Sequence, residues 1–461
     1  MLKKIEKNEI SPLWFDLGEL GAFNKDHAFD KWQDHGLGIL RTIMHNAGIQ
    51  SDVITLKDQS DWNNINHLVK DYNVLLMNVR SYNFPLAKKV AEIFKSENKN
   101  SKVIVGGIHA SVSLSEMTET SHFDIICQGP GENLINDLVT QPNKFSRVVD
   151  ARSYKTTNQE TIIDRTLWPK SKDKIINVKN FWPLEVDCGW GPPPVATVIT
   201  SRVCPWKCSF CNENSYIDNM KRRDVKSVIS ELLMLDNQYN VGSVVIHDSM
   251  FFQNPHWIKE WIDHYSLKTK RWPYWATARS DTIRAWPELF ENAIYESNWS
   301  VVSVGFESGS DRVLRILNKE CTEDDNNYAI ELLNSIADKN IAKGLNPPKF
   351  WANIMLAVPG ETNSDAIRTI RMVKRMRYAI PSVSLFSPYP GSALGYQLIA
   401  ENKSLMSKEN YHRYPNQQKI SGIDYHFYKE LLLGKYDDQV NIGLTKLERE
   451  NTIIYDTQLF S

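Results

Sequence analysis

The chain has 461 residues, 42% of them apolar and 24% charged, with a formal net charge of -1, the make-up of a soluble globular protein of two or three domains. Near-neutral charge excludes a general electrostatic attraction to nucleic acid or to an anionic membrane surface. The amino terminus MLKKIEKNEISPLWFDLGEL lacks the apolar stretch of a signal peptide, and no apolar run approaches the ~18 residues of a membrane span, so a cytoplasmic protein with no membrane span and no nucleic-acid partner is expected.

Residues 36–55, GLGILRTIMHNAGIQSDVIT, have the spacing of an amphipathic helix ending near Gly48, followed by a short strand. YNVLLMNV (72–79) predicts a buried strand, and FPLAKKVAEIFKSEN (84–98) a helix with Pro85 in its first turn. SKVIVGG (101–107) predicts a strand closing on a glycine pair, and FDIICQGPGE (123–132) a strand-turn that opens another helix. Such short alternation predicts a doubly wound, Rossmann-like parallel sheet over roughly residues 10 to 140. Between about 145 and 195 the rhythm is lost in RSYKTTNQET and GWGPPP, which read as a linker packed against its neighbours. From 196 alternation resumes, with strands expected at VATVIT, GSVVIHD, YWATAR, VVSVGFE, FWANIMLAV and SVSLFSP. Six strand-helix units predict a partial (β/α)6 barrel. The charged tail predicts a small α-rich cap. The expected division is therefore 1–145, 146–195 (linker), 196–398 and 399–461. In both sheets ligands belong beyond the carboxyl ends of the strands.

TSRVCPWKCSFCNENSY (200–216) places Cys204, Cys208 and Cys211 just after one of these strands, three of only six cysteines in the chain. A structural zinc takes four ligands, usually as two pairs some 15 or more residues apart. The nearest other cysteines here are Cys188 and Cys321. A [4Fe-4S] cluster held by three thiolates leaves one iron open to a further ligand. A redox pair of Cys208 and Cys211 leaves Cys204 unexplained. The spacing points to an iron–sulfur site, with zinc and unrelated thiols as the alternatives.

With Phe210 before its last cysteine, the triplet resembles the radical S-adenosylmethionine (SAM) superfamily. VVIHDSMF (244–251), WATARSD (275–281), VGFESGSDRVLRILNK (304–319), AVPGET (357–362) and SPYPGS (387–392) follow in the order of its cobalamin-dependent branch. Upstream, VIVGGIHAS (103–111) and CQGPGE (127–132) resemble that branch's cobalamin-binding domain, so the resemblance covers roughly residues 10 to 400. It implies a cobalamin-binding sheet, a radical SAM barrel, and Cys204, Cys208 and Cys211 on a [4Fe-4S] cluster whose open iron SAM chelates.

The resemblance carries further residues, each with a plain structural alternative. Asp248 would lie near the SAM amino group, or cap a helix. Arg279 would pair with the SAM carboxylate, or form an ion pair. Glu307 and Ser308 would touch the ribose or methionine part of SAM, or cap the DRVLRIL helix. Phe210 completes the SAM-binding set. Pro-Gly turns at PGET and YPGS would line the cavity, with no chemical role. For cobalamin, Gly106 and Gly107 would let the backbone approach the ligand, or form a turn needing positive φ. Asn78, Arg80 and Tyr82 of NVRSYN and Gly129, Gly131 and Glu132 of CQGPGE lie at strand ends facing it, with Arg80 or Tyr82 against the lower face of the corrin. His109 would sit by the nucleotide tail. The Asp-x-His-x-x-Gly run that supplies a cobalt-binding histidine elsewhere is absent, so base-off cobalamin with no protein histidine on cobalt is expected.

The function implied is C-methylation of an unactivated carbon through methylcobalamin and a 5′-deoxyadenosyl radical, under exclusion of oxygen. It would need an external one-electron donor of the flavodoxin or ferredoxin type and a small-molecule or peptide substrate. The alternatives are a cyclase or rearrangement enzyme with the same cofactors, and a non-catalytic sensor of cobalamin or metal. A methylthiotransferase is disfavoured, because Cys127 is the only cysteine before residue 188. Trp272, Tyr274, Trp275 and the tail after 398 are expected to shape the substrate pocket.

Overall fold

The computed structural model describes residues 10–17, 34–55, 65–154, 161–167, 191–202, 204–213, 222–412 and 417–451. The first sheet holds β1 (Pro12–Asp16), β2 (Asp52–Thr55), β3 (Val74–Asn78), β4 (Lys102–Gly106), β5 (Ile125–Gln128) and β6 (Val148–Asp150), in the order β2-β1-β3-β4-β5-β6. Every pairing is parallel. Strand side chains alternate between two cores. Leu13, Phe15, Leu75, Met77, Val103 and Val105 enter one, while Trp14, Val53, Leu76, Ile104, Ile125 and Cys127 enter the other. A sheet buried on both faces needs such unbroken apolar runs, which is why the strands read so clearly.

One boundary moves. The sheet runs past 145, because Val148–Asp150 adds a sixth strand through pairs such as Ile126 with Val148. That segment was expected to be linker, and three residues carry too little periodicity to announce a strand whose register comes from its partner. Farther on, Ile163 joins the second core, and Arg165 donates to the Thr197 carbonyl at 2.9 Å and pairs with Glu231 at 2.9 Å. Residues 155–160 and 168–190, with Cys188, lie outside the described residues.

The second sheet comprises β7 (Val195–Val198), β8 (Ser243–Ile246), β9 (Tyr274–Arg279), β10 (Trp299–Glu307), β11 (Lys349–Leu356) and β12 (Ala379–Leu385). These six parallel strands follow chain order across the sheet, with β7 and β12 at its edges. Helices such as Val225–Tyr239, Pro255–Lys268 and Glu323–Ala342 connect them. A large aromatic core lies beneath: the rings of Tyr274 and Trp299 stack at 5.9 Å and those of Trp261 and Tyr265 at 4.7 Å. Trp272 and Tyr274, expected to shape the substrate pocket, are buried in this core. Parity explains it: Tyr274, Ala276 and Ala278 alternate into the core while Trp275 and Thr277 face the other way.

The carboxyl-terminal part is helical, as expected. Helix Tyr425–Leu432 packs on Leu356, Ala366 and Ile370. Before it, Met406 and Tyr411 reach back across the molecule to pack with Tyr82.

Candidate functional site

A cavity of about 810 Å³ opens where the carboxyl ends of the two sheets face each other. In the first sheet β2 lies on one side of β1 and β3 on the other, and this reversal leaves a crevice at the strand ends. Asn78, Arg80, Tyr82, Gly106, Gly107, Gly129, Gly131 and Glu132 all line the cavity. Gly107 meets two demands at once. Its φ is +95°, and an added Cβ would stand 2.0 Å from Asn78 Oδ1, so the β4 turn can pack against the β3 loop only without a side chain.

His109 is different. It is fully buried and lines no part of the cavity. Its Nδ1 lies 3.1 Å from Ser81 Oγ, its Nε2 lies 3.2 Å from Glu116 Oε2, and its ring stands 4.5 Å from that of Phe84. It sits in the helix Ile108–Val112 and packs against the β3 loop through Ser81. Only His426 has an aspartate two positions before it, Asp424, and Lys429 stands where the cobalt-binding run has glycine.

Other cavity residues escaped the sequence reading. Asp34 caps the helix His35–Asn46, accepting from Leu37 N at 3.0 Å and from Asn78 Nδ2 at 2.6 Å. His35, opening that helix, and His247, just after β8, line the cavity from opposite sides, with ring centroids 5.6 Å apart. Burial drives both toward the neutral imidazole, His35 well below its ordinary range and His247 down to about 4, with Arg80 adding to the latter. His247 ends a predicted strand, so the strand-end rule was its available signal. Arg202 pairs with Glu132 across the same space.

The thiol loop forms the far wall, where Phe210 and Cys211 reach the cavity. At its head, Asp248 at the end of β8 accepts from Thr200 N at 2.7 Å, Ser201 N at 2.9 Å and the Thr200 hydroxyl, with Arg222 at 3.7 Å. Burial raises the Asp248 carboxyl, and these partners oppose it. Farther along, Ser209 N donates to the Leu317 carbonyl at 2.8 Å and Ser209 Oγ to the Ile316 carbonyl at 2.8 Å. Leu394 N donates to the Ser209 carbonyl at 2.9 Å. The DRVLRIL segment and the turn after SPYPGS thus hold the loop. Burial pushes the Cys211 thiol up to about 12, with Glu213 and the other two thiols adding, and burial likewise raises Cys204.

Among the described residues no three His, Cys, Asp or Glu side chains are gathered as one metal ion would need. The donor set of the loop is three thiols that sense one another's charge, with the Arg279 guanidinium beside Cys208 and the Lys319 ammonium near it. Three such thiols fit a cluster that takes one iron per thiolate.

The residues expected at SAM divide. Phe210 faces the cavity, whereas Asp248, Arg279, Glu307 and Ser308 lie behind its wall, each held by protein partners. Arg279 holds Asp281 with both Nε and Nη2 at 2.9 Å. Glu307, at a left-handed φ of 62°, accepts from Lys319 Nζ at 3.0 Å. An added Cβ at Gly305 would stand 2.7 Å from Glu307 Oε1 and 2.9 Å from Lys319 Nζ, so that pair needs the glycine. Ser308 Oγ lies 3.0 Å from Thr369 Oγ1. No described residue after 398 lines the cavity, although Tyr389 and Ser392 do.

Residues 198–373 match the Radical SAM superfamily and residues 24–139 the B12 binding domain. The chain is 24% identical over 408 residues to "Uncharacterized methyltransferase PH0819" of Pyrococcus horikoshii, covering 86% of this chain and 84% of that protein. It is 23% identical over 346 residues to the anaerobic magnesium-protoporphyrin IX monomethyl ester cyclase of Rubrivivax gelatinosus, covering 70% of this chain and 58% of that protein. Among solved structures, the radical S-adenosylmethionine methyltransferase TsrM of Kitasatospora setae, with tryptophan and a SAM analog, superposes with a TM-score of 0.62 at 16% identity. The match covers 87% of this chain and 77% of TsrM. The cobalamin-dependent enzyme OxsB follows at 0.59 and 13% identity, over 97% of this chain and 65% of OxsB. At these identities the two structures speak to fold alone.

Proposed function

We propose, of a chain that is a radical SAM enzyme with a B12-binding domain ahead of its barrel, that it is a cobalamin-dependent methyltransferase acting on an unactivated carbon. One observation carries this reading. The cavity at the switch point of the first sheet continues to Phe210 and Cys211 of the thiol loop, so one space serves both halves. The likeness to PH0819 along most of both chains supports methyl transfer.

Bound together, the cluster, SAM and the corrinoid supply hydrogen abstraction and the methyl group; the chain supplies orientation and the exclusion of water. Cys204, Cys208 and Cys211 would hold the cluster, and an external one-electron donor would reduce it. Asn78, Arg80, Tyr82, Gly106, Gly107, Gly129, Gly131 and Glu132 would hold the corrinoid from the first sheet. We assign it base-off with no protein histidine on cobalt, which the buried His109 supports. Phe210 would face SAM, while Asp248, Glu307 and Ser308 fix the backbone behind it.

The test needs no knowledge of the substrate. Protein reconstituted without oxygen, given methyl-labelled SAM, a corrinoid and dithionite, should move label onto the corrinoid and release S-adenosylhomocysteine. It should separately release 5′-deoxyadenosine, and Cys208→Ala should abolish that release. Deoxyadenosine without label on the corrinoid would favour a cyclase, the second reading, which the 70% coverage by the porphyrin cyclase supports. Neither product would overturn both. The EPR spectrum of the bound cobalt(II) corrinoid should lack splitting from an axial nitrogen, and such splitting would overturn the axial assignment.

A further inference from the structure

Arg279 is 1% exposed and its guanidinium is fully committed. Nε and Nη2 form a two-point pair with Asp281, Nη2 also donates to the Lys319 carbonyl, and the Trp206 ring lies 4.4 Å from Cζ. These contacts fix the plane of the group. They leave Nη1 directed at Cys208 Sγ, 3.7 Å away. An arginine so held does not present its fork to a carboxylate of a ligand, because the fork is already on Asp281.

The second buried cation nearby, Lys319, is paired with Glu307 at 3.0 Å. Each of these two buried cations thus has its own carboxylate, and at a distance their charges cancel. What does not cancel is the short-range N–H to sulfur contact. Hydrogen bonds to ligand sulfurs are among the determinants of an iron–sulfur potential, because they draw off negative charge and stabilise the reduced, more negative cluster.

We propose that Arg279 is a positioning residue acting through Cys208: its Nη1–H donates to the thiolate sulfur and raises the reduction potential of the cluster, with Asp281 holding it in place. The electron itself comes from an external low-potential donor. This rests on the three cysteines being cluster ligands.

Full-length protein is reconstituted with iron and sulfide, without SAM, and titrated with dithionite while EPR follows the reduced cluster. In Arg279→Gln the ratio of oxidised to reduced cluster at a fixed potential should rise at least threefold, a tenfold rise being about 59 mV for one electron. Asp281→Asn frees the guanidinium but also removes a negative charge that opposes reduction, so the ratio should rise by less than in Arg279→Gln or not at all. An unmoved ratio in Arg279→Gln with wild-type iron and sulfide content overturns the proposal and leaves the cluster standing. Wild-type protein that binds no iron sinks both. Should the variants fail to fold, wild-type protein carrying the heavy nitrogen isotope in its arginine guanidino groups gives the answer. Its reduced cluster should show a nitrogen coupling in pulsed EPR, and a spectrum without one overturns the proposal.

Discussion

Glu361 sits in the Pro-Gly-Glu-Thr turn after β11, and its Oε2 accepts from Ala357 N at 2.8 Å. Burial pushes this carboxyl up to about 7, against hydrogen bonds from Tyr428 and the backbone. The folded chain therefore holds a proton that the unfolded chain has shed between its ordinary 4.5 and about 7, and stability from this group is lost as pH rises through that window. His35 and His247 act with the opposite sign. Their depressed values mean that the unfolded chain takes up protons first as pH falls from 6.5 toward about 4, so acid removes stability there. Each titrating group contributes about 1.4 kcal/mol per pH unit. Glu361→Gln should therefore raise the melting temperature at about pH 8, by on the order of 1–3 kcal/mol of stability, and leave it nearly unchanged at about pH 5. Thermal unfolding of the variant and the wild type across that range checks both ends. A uniform shift at every pH would show that Glu361 acts by packing alone.

At the scale of elements, the thiol loop depends on a neighbour strand. Asp248 belongs to the end of β8, 48 residues from Thr200, yet it closes the turn from which the cysteines emerge. Asp248→Asn keeps an acceptor for the two backbone amides on Oδ1 but sets an amide donor against the Thr200 hydroxyl and the Arg222 guanidinium, and should cost about 1–3 kcal/mol. It should also lower the iron and sulfide retained after reconstitution. Thr200→Val, which removes that hydroxyl, should cost about 1–2 kcal/mol and spare most of the iron. Chemical analysis of both variants separates a loop held by Asp248 from one that stands unaided. This contrast also marks where the sequence was informative. The three cysteines and the strand-end glycines are short-range signals, and they lie where spacing placed them relative to the strands. Asp281 is local to Arg279, but Thr200 for Asp248 and Lys319 for Arg279 are long-range returns of the chain, 48 and 40 residues away, and no local pattern encodes them. Tyr274 was a legible error, since strand parity alone sends it into the core. β6 was not legible, because its three residues acquire a register only from β5.

Across the whole molecule, the carboxyl-terminal segment ties the barrel side back to the first sheet. Tyr411 Oη donates to Glu116 Oε1 at 3.0 Å, the Tyr396 hydroxyl to the Val112 carbonyl, and Lys408 pairs with Glu119. Met406 and Tyr411 pack against Tyr82, with Tyr389 alongside. Tyr82 and Tyr389 are also cavity walls, one from each side. A void under this cluster would therefore reach the cavity without touching the thiol loop. Met406→Ala should cost about 2–4 kcal/mol, the usual range for a buried methionine. It should weaken corrinoid retention several-fold while iron and sulfide stay at wild-type content. Tyr411→Phe keeps the ring and removes one hydrogen bond to a carboxylate, so it should cost only about 1–2 kcal/mol and leave the corrinoid in place. Absorbance of bound corrinoid after gel filtration, beside an iron count, reads both. If Met406→Ala loses iron as readily as corrinoid, the two halves of the cavity melt as one unit. If it loses neither, the tail is a structural strap whose contact with Tyr82 does not set the shape of the wall.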